Sequence, residues 1–422
     1  MVRYEIEGGR PLNGELTVQG SKNAVLPMMA AALLCRGSVV LHNCPRIDDV
    51  FCMIRILEHL GCTVNWEGHT VIIDAYEVRS ETVPAKEAKR MRSSVILLGA
   101  LLGRRKKAVL SRPGGCVIGE RPIDLHLSSL QKMGADIRQE EEYMYVKAPV
   151  LTGARIELAK SSVGATENIL LAAVLAKGVT EIVNAAREPE IPELCRLLRA
   201  MGADIENRGN GYIRVRGVKE LHDAELTVMS DRIVTGTYLL AAAAAGGEVT
   251  VLNPPWGQVQ ALLTVLSGMG LTVRETEEYI YVKRTDEYLG VDFLETRPYP
   301  GFPTDLQSPL LAVLLRAKGK SRIRETIFES RFRAAEEFPK LGARVSIDGA
   351  VCTVEGVPKL HGARLISHEL RGGAALILAG LAADGRTMVE DKGFIRRGYE
   401  RMEADLRKLG AGISVTDSTD DR

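Results

Sequence analysis

Aromatic side chains, unbalanced charge and long apolar runs are all scarce in this chain of 422 residues. Aromatics make up only 5% of it, so the core must rest on leucine, isoleucine, valine and alanine. The formal net charge is +1, which argues against a nucleic-acid-binding surface because such domains are strongly basic. With 45% apolar and 26% charged residues, the composition is that of a globular protein, and the length fits about two or three domains.

Membrane-spanning and secretion signals are missing as well. No stretch reaches the roughly 18 uninterrupted apolar residues of a membrane span, and the alanine run 241–245 is far too short. The first residues carry no apolar segment of the signal-peptide type. We therefore expect a cytoplasmic protein without membrane or nucleic-acid contact, and we also expect a monomer.

The cysteines do not form a recognisable framework. Seven are present, an odd number without CxxC spacing, which argues against disulfide pairing and against a zinc site. We expect neither a metal nor a cofactor. Most of these cysteines lie in apolar surroundings, which predicts inert core thiols. Cys116 differs, because Pro113-Gly114-Gly115 precedes it and Arg112 and Arg121 flank it, and nearby arginines favour a thiolate or hold an anion.

The chain consists of six copies of one repeat. A helix-type apolar spacing, a glycine suited to a helix C-cap and an alternating strand pattern recur along it. The glycines stand at 61, 134, 202, 270, 342 and 410, at steps of 73, 68, 68, 72 and 68 residues. The segments after Gly134 and Gly270 each predict two strands joined by a turn.

Between these segments lies a helix rich in alanine and leucine, then a glycine and a strand. Such helices are apolar around most of their circumference, which predicts burial on all sides. Each repeat should therefore contain a leading strand followed by helix, strand, helix, strand and strand. Six repeats that each expose an apolar face need one another for a core. We expect two α/β domains of three repeats each, with helices inside and sheets outside.

Polar segments precede the buried helices, and five of them place a cation at or near the helix start: Lys22, Arg92, Lys160, Arg232 and Arg371. Helix N-termini carry partial positive charge, so they bind anions and disfavour cations. Capping by Ser, Thr or Asp explains any one segment, but it does not explain the repeated cations. We interpret them as the binding site of a polyanionic ligand in a gap between the two domains.

Seven segments carry a family resemblance: SKNA at 21–24, MRSS at 91–94, PGGCVIGERPIDLH at 113–126, SSVGATENI at 161–169, NAAREPEI at 184–191, FPTDLQ at 302–307 and RGYER at 397–401. Over essentially the whole chain, the sequence resembles the UDP-N-acetylglucosamine 1-carboxyvinyltransferases, enolpyruvyl transferases of peptidoglycan synthesis. The resemblance implies two inside-out α/β barrels of three βαβαββ-like repeats each. Residues 22–229 would form the domain with the cysteine loop, residues 1–21 plus 230–422 the other, and the active site would lie in the cleft between them.

The resemblance also implies a reaction. The enolpyruvyl group of phosphoenolpyruvate would pass to the 3′-hydroxyl of UDP-N-acetylglucosamine, by addition and then elimination of phosphate. Cys116 would protonate the vinyl carbon C-3 of phosphoenolpyruvate, and it can form a covalent adduct with that substrate. Asp305 would take the hydroxyl proton, with Lys22 and Arg397 as further catalytic groups. The Pro-Gly-Gly segment before Cys116 is typical of the hinge of a lid.

Binding residues follow from the same resemblance. Those for phosphoenolpyruvate are Lys22, Asn23, Cys116, Arg121, Arg371 and Arg397. Those for UDP-N-acetylglucosamine are Asn23, Arg92, Arg121, Pro122, Ile123, Asp124, Leu125, Lys160, Ser161, Ser162, Val163, Asp305 and Ile327. Arginine forks suit bidentate anion recognition, and lysine serves as a point charge.

Some alternatives stay open at this point. His126 is either a loop-to-helix contact or a site group, and Glu188 and Glu190 most simply open a helix. Three positions depart from the family pattern: Val234 replaces a usual glutamate, Glu369 an aspartate and Arg396 an acidic residue. The rival functions are 5-enolpyruvylshikimate-3-phosphate synthase and a catalytically silent nucleotide-sugar sensor.

Overall fold

The computed structural model describes residues 1–111, 114, 118–119, 121–284 and 287–417. The described residues divide into two compact units. The first unit contains residues 20–111, 114 and 121–229, and the second unit contains residues 1–19, 118–119, 230–284 and 287–417. Within these ranges, no helix combines the length and the apolar character needed to cross a membrane.

Strands and helices alternate along the chain. The strands are β1 (Val2–Glu7), β2 (Leu12–Thr17), β3 (Ser38–His42), β4 (Thr63–Glu67), β5 (Thr70–Asp74), β6 (Lys107–Ser111), β7 (Asp136–Gln139), β8 (Tyr143–Lys147), β9 (Arg155–Glu157), β10 (Val179–Val183), β11 (Asp204–Asn207), β12 (Tyr212–Arg216), β13 (Ala224–Thr227), β14 (Gly247–Leu252), β15 (Thr272–Glu275), β16 (Tyr279–Lys283), β17 (Leu294–Glu295), β18 (Lys320–Arg324), β19 (Arg344–Asp348), β20 (Val351–Glu355), β21 (Arg364–Ile366), β22 (Arg386–Asp391) and β23 (Gly412–Asp417). The α-helices are α1 (Lys22–Ala32), α2 (Asp48–Leu60), α3 (Ala85–Arg90), α4 (Leu97–Arg105), α5 (Asp124–Lys132), α6 (Val163–Ala173), α7 (Glu190–Ala200), α8 (Arg232–Ala245), α9 (Gln260–Gly268), α10 (Gln307–Leu314), α11 (Leu370–Ala382) and α12 (Met402–Lys408). Short 3₁₀ segments cover Arg92–Ile96, Thr304–Leu306, Arg331–Ala334, Phe338–Leu341 and Ile395–Arg397.

The six repeat glycines all have positive φ angles, from 84° at Gly342 to 107° at Gly61. A glycine adopts this left-handed conformation without a steric penalty, so it ends one helical segment and turns the chain into the next strand. The helix-ending role predicted for these glycines is confirmed. The hairpins predicted after Gly134 and Gly270 are also confirmed, as β7–β8 and β15–β16.

The sheets share one pairing pattern, seen for example in the order β11-β12-β10-β9. There β9 is parallel to β10, and the other neighbours are antiparallel. The leading strands of two repeats are exchanged: β2 precedes α1 but pairs with β14, and β13 precedes α8 but pairs with β3. The N-terminal strand β1 completes the last sheet between β22 and β23. Each unit thus keeps a full set of sheets although the chain leaves the second unit after residue 19 and returns after residue 229.

The alanine- and leucine-rich helices form the core, as the sequence predicts. Every residue of α8 and of α11 is buried, and nearly every residue of α1, α4 and α6 is buried as well. In the first unit α4 packs against α6 and α1, and in the second unit α8, α10 and α11 pack against one another. Small alanine and glycine side chains let these helices approach closely, and the strands cover them with alternating buried and exposed residues.

Two repeats depart from the predicted pattern. In the second repeat the sheet has only three described strands, β6-β8-β7, and an isolated bridge from Thr82 to Val109 stands where a leading strand was expected. In the fifth repeat, the helix predicted before Gly342 is two 3₁₀ segments instead, Arg331–Ala334 and Phe338–Leu341. Pro339 explains why no α-helix continues through the second of these segments, because a proline inside an α-helix lacks the N–H that the helix needs.

Candidate active site

Helix α1 begins with the predicted site residue Lys22, whose Nζ lies 2.7 Å from Asp49 Oδ2. Ser21 caps the helix, since its hydroxyl oxygen accepts a hydrogen bond from the Ala24 N–H at 3.3 Å. The side chains of Lys22 and Asp49 are only 10% and 5% exposed, so the pair is largely desolvated. Asp49 therefore balances a cation that the helix dipole disfavours and holds it beside Asn23 at the start of α1.

In the second unit, Asp305 is held by two arginines. Arg331 donates from Nη2 to Asp305 Oδ1 at 2.7 Å, and Arg371 donates from Nε to Asp305 Oδ2 at 3.3 Å. Both arginine side chains are 3% exposed, against 27% for Asp305. The carboxylate therefore lies between two buried guanidinium groups, with one oxygen facing each of them.

These two arginines retain hydrogen-bonding capacity. Nε of Arg331 and Nη1 of Arg371 are buried and have no hydrogen-bond partner. Burial alone would lower the pKa of Arg371, but Tyr399, Asp305 and Asp231 raise it above its ordinary value. A buried donor without a partner costs about 1–3 kcal/mol. Two such charged donors beside one carboxylate are well suited to bind a small anion.

Glu369, which departs from the family pattern, caps α11. Its carboxylate accepts hydrogen bonds from the N–H of Arg371, at 2.8 Å, and from the N–H of Gly372. Its Oε2 also lies 3.8 Å from Arg331 Nη1. The longer side chain thus serves as an N-cap and as a second acidic neighbour of Arg331.

Sequence analysis did not select Arg331. The segment around it, RFRAAEEF, follows the spacing of an amphipathic helix, on which an arginine is expected to be solvated. Tertiary packing of the 3₁₀ segment Arg331–Ala334 against α11 buries the side chain instead. No local sequence signal distinguishes it from its neighbour Arg333.

Glu325 connects the Asp305 segment with Ile327, another predicted site residue. Its Oε2 accepts a hydrogen bond from the Thr304 hydroxyl at 2.9 Å. Its Oε1 accepts from the N–H groups of Ile327, at 2.7 Å, and Phe328, at 3.2 Å. This buried carboxylate therefore fixes the backbone of Ile327 relative to the residue that precedes Asp305.

The predicted nucleotide-sugar segment 121–125 is anchored by Arg92. Its Nη2 donates to the carbonyl of Arg121 and, at 3.4 Å, to that of Pro122. Burial and the charge of Arg121 lower the pKa of Arg92 to about 10. Pro122 and Asp124 are exposed, and Ile123 and Leu125 are partly exposed, so this segment offers both apolar and polar groups.

The other predicted nucleotide-sugar segment, 160–163, leads into α6. The hydroxyl oxygen of Ser162 caps the helix by accepting from the Ala165 N–H at 3.4 Å. Lys160 is exposed, while Ser161 and Val163 are half-buried. An exposed lysine next to the first N–H groups of a helix is an arrangement that suits a phosphate.

His126 lies in the first turn of α5 and contacts α6, so the contact joins two helices and not a loop and a helix as the sequence suggested. It is 6% exposed, and its Nδ1 lies 2.7 Å from Asn168 Nδ2 on α6. Burial, followed by the charge of Arg92, lowers the pKa of His126 to about 4. The imidazole is therefore neutral at physiological pH.

The acidic residues around Pro189 open helix α7. Glu190 is its first residue, and Glu188 accepts a hydrogen bond from the Arg187 N–H at 3.1 Å. Burial and the nearby carboxyls of Glu190 and Glu188 raise the pKa of Glu167 to about 8. The carboxyl of Glu167 is thus mostly protonated at neutral pH.

Arg397 ends the 3₁₀ segment Ile395–Arg397 and is half-buried. Its neighbour Arg396 donates from Nη1 to Asp417 Oδ2 at 2.6 Å, so this departure from the family pattern pairs with β23. The third departure, Val234, is buried in the first turn of α8, where its N–H donates to Asp231 Oδ1 at 3.0 Å.

Cys116 lies outside the described residues. Its loop is described only at Gly114, whose N–H donates to the Ala88 carbonyl at 3.0 Å, and at residues 118–119, where the Ile118 carbonyl accepts from the Ser330 N–H at 3.0 Å. A side chain at Gly114 would collide with the Lys89 carbonyl.

The six described cysteines are all buried and free. Burial raises the pKa of Cys44, Cys62 and Cys352 to about 12. It raises the pKa of Cys35 and Cys195 to about 11. These groups are thiols at neutral pH, which confirms the prediction of inert core residues. Among the described residues, no three His, Cys, Asp or Glu side chains are grouped as a metal site would require.

The described residues thus combine repeated α/β modules, cations at helix starts and a carboxylate between two arginines. A family profile described as EPSP synthase (3-phosphoshikimate 1-carboxyvinyltransferase) matches residues 6–406. The chain therefore belongs to the enolpyruvyl transferase family, and it is a transferase.

Within this family, the chain is similar to proteins named UDP-N-acetylglucosamine 1-carboxyvinyltransferase. A UDP-N-acetylglucosamine 1-carboxyvinyltransferase 2 from Caldanaerobacter subterraneus subsp. tengcongensis is 46% identical, covering 98% of this chain and 99% of the relative. A UDP-N-acetylglucosamine 1-carboxyvinyltransferase from Nitratidesulfovibrio vulgaris strain Hildenborough is 43% identical with the same coverage. These relatives confirm the resemblance seen in the sequence.

Solved structures agree on the fold. The enolpyruvyl transferase NikO from Streptomyces tendae superposes with a TM-score of 0.89 at 27% identity, covering 98% of this chain and 99% of that one. EPSP synthase from Acinetobacter baumannii superposes with a TM-score of 0.76 at 18% identity, covering 99% of this chain and 100% of that one. The predicted α/β class is confirmed.

Proposed function

We propose that this protein transfers the enolpyruvyl group of phosphoenolpyruvate to the 3′-hydroxyl of UDP-N-acetylglucosamine and releases phosphate. It would thereby carry out the first committed step of peptidoglycan synthesis in the cytoplasm, as a monomer without metal or cofactor. The observation that carries the proposal is the Asp305 carboxylate between two buried guanidinium groups with unused donors. The names of the relatives support the choice of substrates.

The assigned roles follow from the chemistry. The Cys116 thiol gives its proton to C-3 of phosphoenolpyruvate, which makes C-2 electrophilic. The 3′-oxygen of the sugar bonds to C-2 while Asp305 accepts the hydroxyl proton. The Cys116 thiolate then takes a proton back from C-3 as the C–O bond to phosphate breaks, which restores the double bond. The proton held by Asp305 leaves with the released phosphate. General acid–base help of this kind contributes about 10²–10⁴-fold in rate.

The anionic groups of phosphoenolpyruvate need cations throughout this sequence. Arg331 and Arg371 suit the carboxylate, because their unpartnered Nε and Nη1 atoms are charged donors. Lys22, Arg121 and Arg397 match the family's positions for cations that hold the phosphate and the carboxylate, as the family resemblance implies. Each of these two donors can form a hydrogen bond to the substrate carboxylate when it binds.

We also infer that each unit is an inside-out barrel of three repeats. The mutual packing of α8, α10 and α11 inside the second unit supports this arrangement, as does the packing of α4 with α1 and α6 in the first. In such a barrel the buried helices run inside and their starts lie at one end, which would gather the cations noted in the sequence.

A phosphate-release assay tests the function. We expect phosphate release from phosphoenolpyruvate with UDP-N-acetylglucosamine as acceptor and none with shikimate 3-phosphate, the acceptor that the profile description points to. Reactions without an acceptor serve as the control. Release with shikimate 3-phosphate alone would refute the proposal, and binding of UDP-N-acetylglucosamine without turnover at any pH would favour a sensor.

Replacing Arg331 by lysine tests the anion site. Lysine keeps the charge but cannot bond Asp305 while also offering a fork to substrate. We expect kcat/KM for phosphoenolpyruvate to fall by about 10²-fold, the cost of one well-placed donor in an active site. Arg333→Lys on the same 3₁₀ segment is the matched control and should stay near wild type. Steady-state kinetics for both variants measure the effect, and equal values for the two would exclude Arg331 from the site.

A further inference from the structure

The buried side-chain amide of Asn168 on α6 forms hydrogen bonds to two other parts of the first unit. Asn168 is fully buried, and its Oδ1 accepts a hydrogen bond from the Gly99 N–H at 2.6 Å. Its Nδ2 donates to the Val95 carbonyl at 2.9 Å and lies 2.7 Å from His126 Nδ1. Asn168 therefore connects α6 with the segment 92–105 on one side and with α5 on the other.

The backbone partners fix the orientation of this amide. An N–H can only donate and a carbonyl can only accept, so Oδ1 must face Gly99 and Nδ2 must face Val95. Because Nδ2 is then a donor toward His126 as well, the imidazole Nδ1 must be the acceptor and carry no proton. His126 is thus the neutral tautomer with its proton on Nε2.

Two glycines provide the space for this contact. A Cβ on Gly164 would lie 3.0 Å from Cε1 and 3.3 Å from Nε2 of His126, which is tighter than ordinary packing. A Cβ on Gly99 would lie 2.8 Å from Asn168 Oδ1. The ring of His126 therefore packs directly on the backbone at the start of α6, where the 160–163 segment ends.

Each element joined in this way carries residues assigned above to UDP-N-acetylglucosamine. The segment 92–105 begins with Arg92, α5 begins within 121–125, and α6 begins at the end of 160–163. Arg92 adds a second connection through the carbonyls of Arg121 and Pro122. We propose that Asn168 and His126 form a buried latch that holds the three nucleotide-sugar segments in their binding arrangement. Both are positioning residues, and this inference depends on the proposed function.

The charged groups facing His126 are Arg92, Asp124 and Arg121. The two arginines oppose protonation of the imidazole and Asp124 favours it, while burial has the largest effect and opposes it. The imidazole accordingly stays neutral in the neutral pH range in which binding is measured, so it can accept the Asn168 hydrogen bond there.

The test compares two substitutions of His126. His126→Phe keeps the ring volume but loses the acceptor, and His126→Asn places an amide oxygen where Nδ1 was. We expect His126→Phe to raise the dissociation constant and KM for UDP-N-acetylglucosamine by about tenfold, the effect of one lost buried hydrogen bond. The kcat and the KM for phosphoenolpyruvate should stay within about twofold. His126→Asn should restore nucleotide-sugar affinity.

Titration calorimetry and steady-state kinetics measure these effects, with thermal unfolding as the check on folding. Tyr288→Phe is the control, because it removes a buried hydrogen bond to the Val313 carbonyl in the other unit. If His126→Phe does not fold, His126→Gln, which lacks an acceptor at the Nδ1 position, carries the same expectation. Wild-type affinity in His126→Phe and His126→Gln, or equal losses of affinity for both substrates, would overturn the latch proposal but not the proposed function. Failure of the wild-type protein to bind UDP-N-acetylglucosamine would overturn the proposed function and the latch with it.

Discussion

Asp305→Ala is expected to lower kcat by about 10²–10⁴-fold while UDP-N-acetylglucosamine still binds, because the change removes the group proposed to accept the hydroxyl proton. The carboxylate is held by Arg331 and Arg371, one on each oxygen, so its position is set by two buried side chains. Neither arginine can replace it as a base, since a guanidinium stays protonated in proteins.

Asp305→Asn makes the test sharper. Asparagine keeps an oxygen for one arginine but cannot take a proton, so it should be as slow as the alanine variant while disturbing the two buried cations less. The exposed Asp292→Ala, in the same unit, is the control and should stay at wild-type rate. Stopped-time phosphate release gives kcat, and calorimetry gives nucleotide-sugar affinity. A loss below about tenfold in Asp305→Asn would exclude this carboxylate as the base.

The repeat architecture could be predicted because its causes are local. A glycine with positive φ ends a helical segment wherever it stands, and Gly61 and Gly410 do so at opposite ends of the chain. A helix that is apolar on every side must be buried, and α8 and α11 are. The exchange of β2 and β13 could not be predicted, because it depends on which sheet an edge strand meets after the chain changes unit.

The candidate site residues divide in the same way, into those with a local sequence signal and those without one. Residues at helix starts could be selected from sequence, since a cation against the helix dipole is anomalous on local grounds. For Lys22, the structure shows a carboxylate that compensates this unfavourable charge, because Asp49 forms an ion pair with it. Arg331 and Asn168 could not be selected, because their significance comes from contacts with residues far away in the chain, Asp305 and His126.

Glu369 shows how a departure from a family pattern can leave the local architecture in place. An N-cap needs an acceptor within reach of the first free N–H groups, and the glutamate reaches those of Arg371 and Gly372. Its Oε2, which accepts from the Arg371 N–H, also lies 3.8 Å from Arg331 Nη1. Arg331 thus has carboxylates on two sides, and the spare Nε remains for a third anion.

Cys116→Ala is expected to abolish turnover while nucleotide-sugar binding survives. Phosphoenolpyruvate becomes electrophilic at C-2 only when C-3 takes up a proton, and this proton transfer is the task proposed for the thiol. Alanine supplies no proton, and the six described cysteines cannot substitute because all of them are buried. Loss of a general acid alone lowers a rate by about 10²–10⁴-fold. Because the addition to C-2 does not begin without this proton, we expect turnover in Cys116→Ala to fall to the limit of detection.

Two measurements check this expectation. Phosphate release and calorimetry on Cys116→Ala are compared with Cys62→Ala, a buried thiol whose pKa is raised to about 12 and whose loss should leave turnover intact. Intact-mass spectrometry after treatment with the epoxide phosphonate fosfomycin should show one adduct on Cys116, as the family resemblance implies. Wild-type-like turnover in Cys116→Ala would overturn the assigned role. An adduct on another cysteine would show that the reactive thiol lies elsewhere, since a thiol must be accessible and ionisable to attack the epoxide.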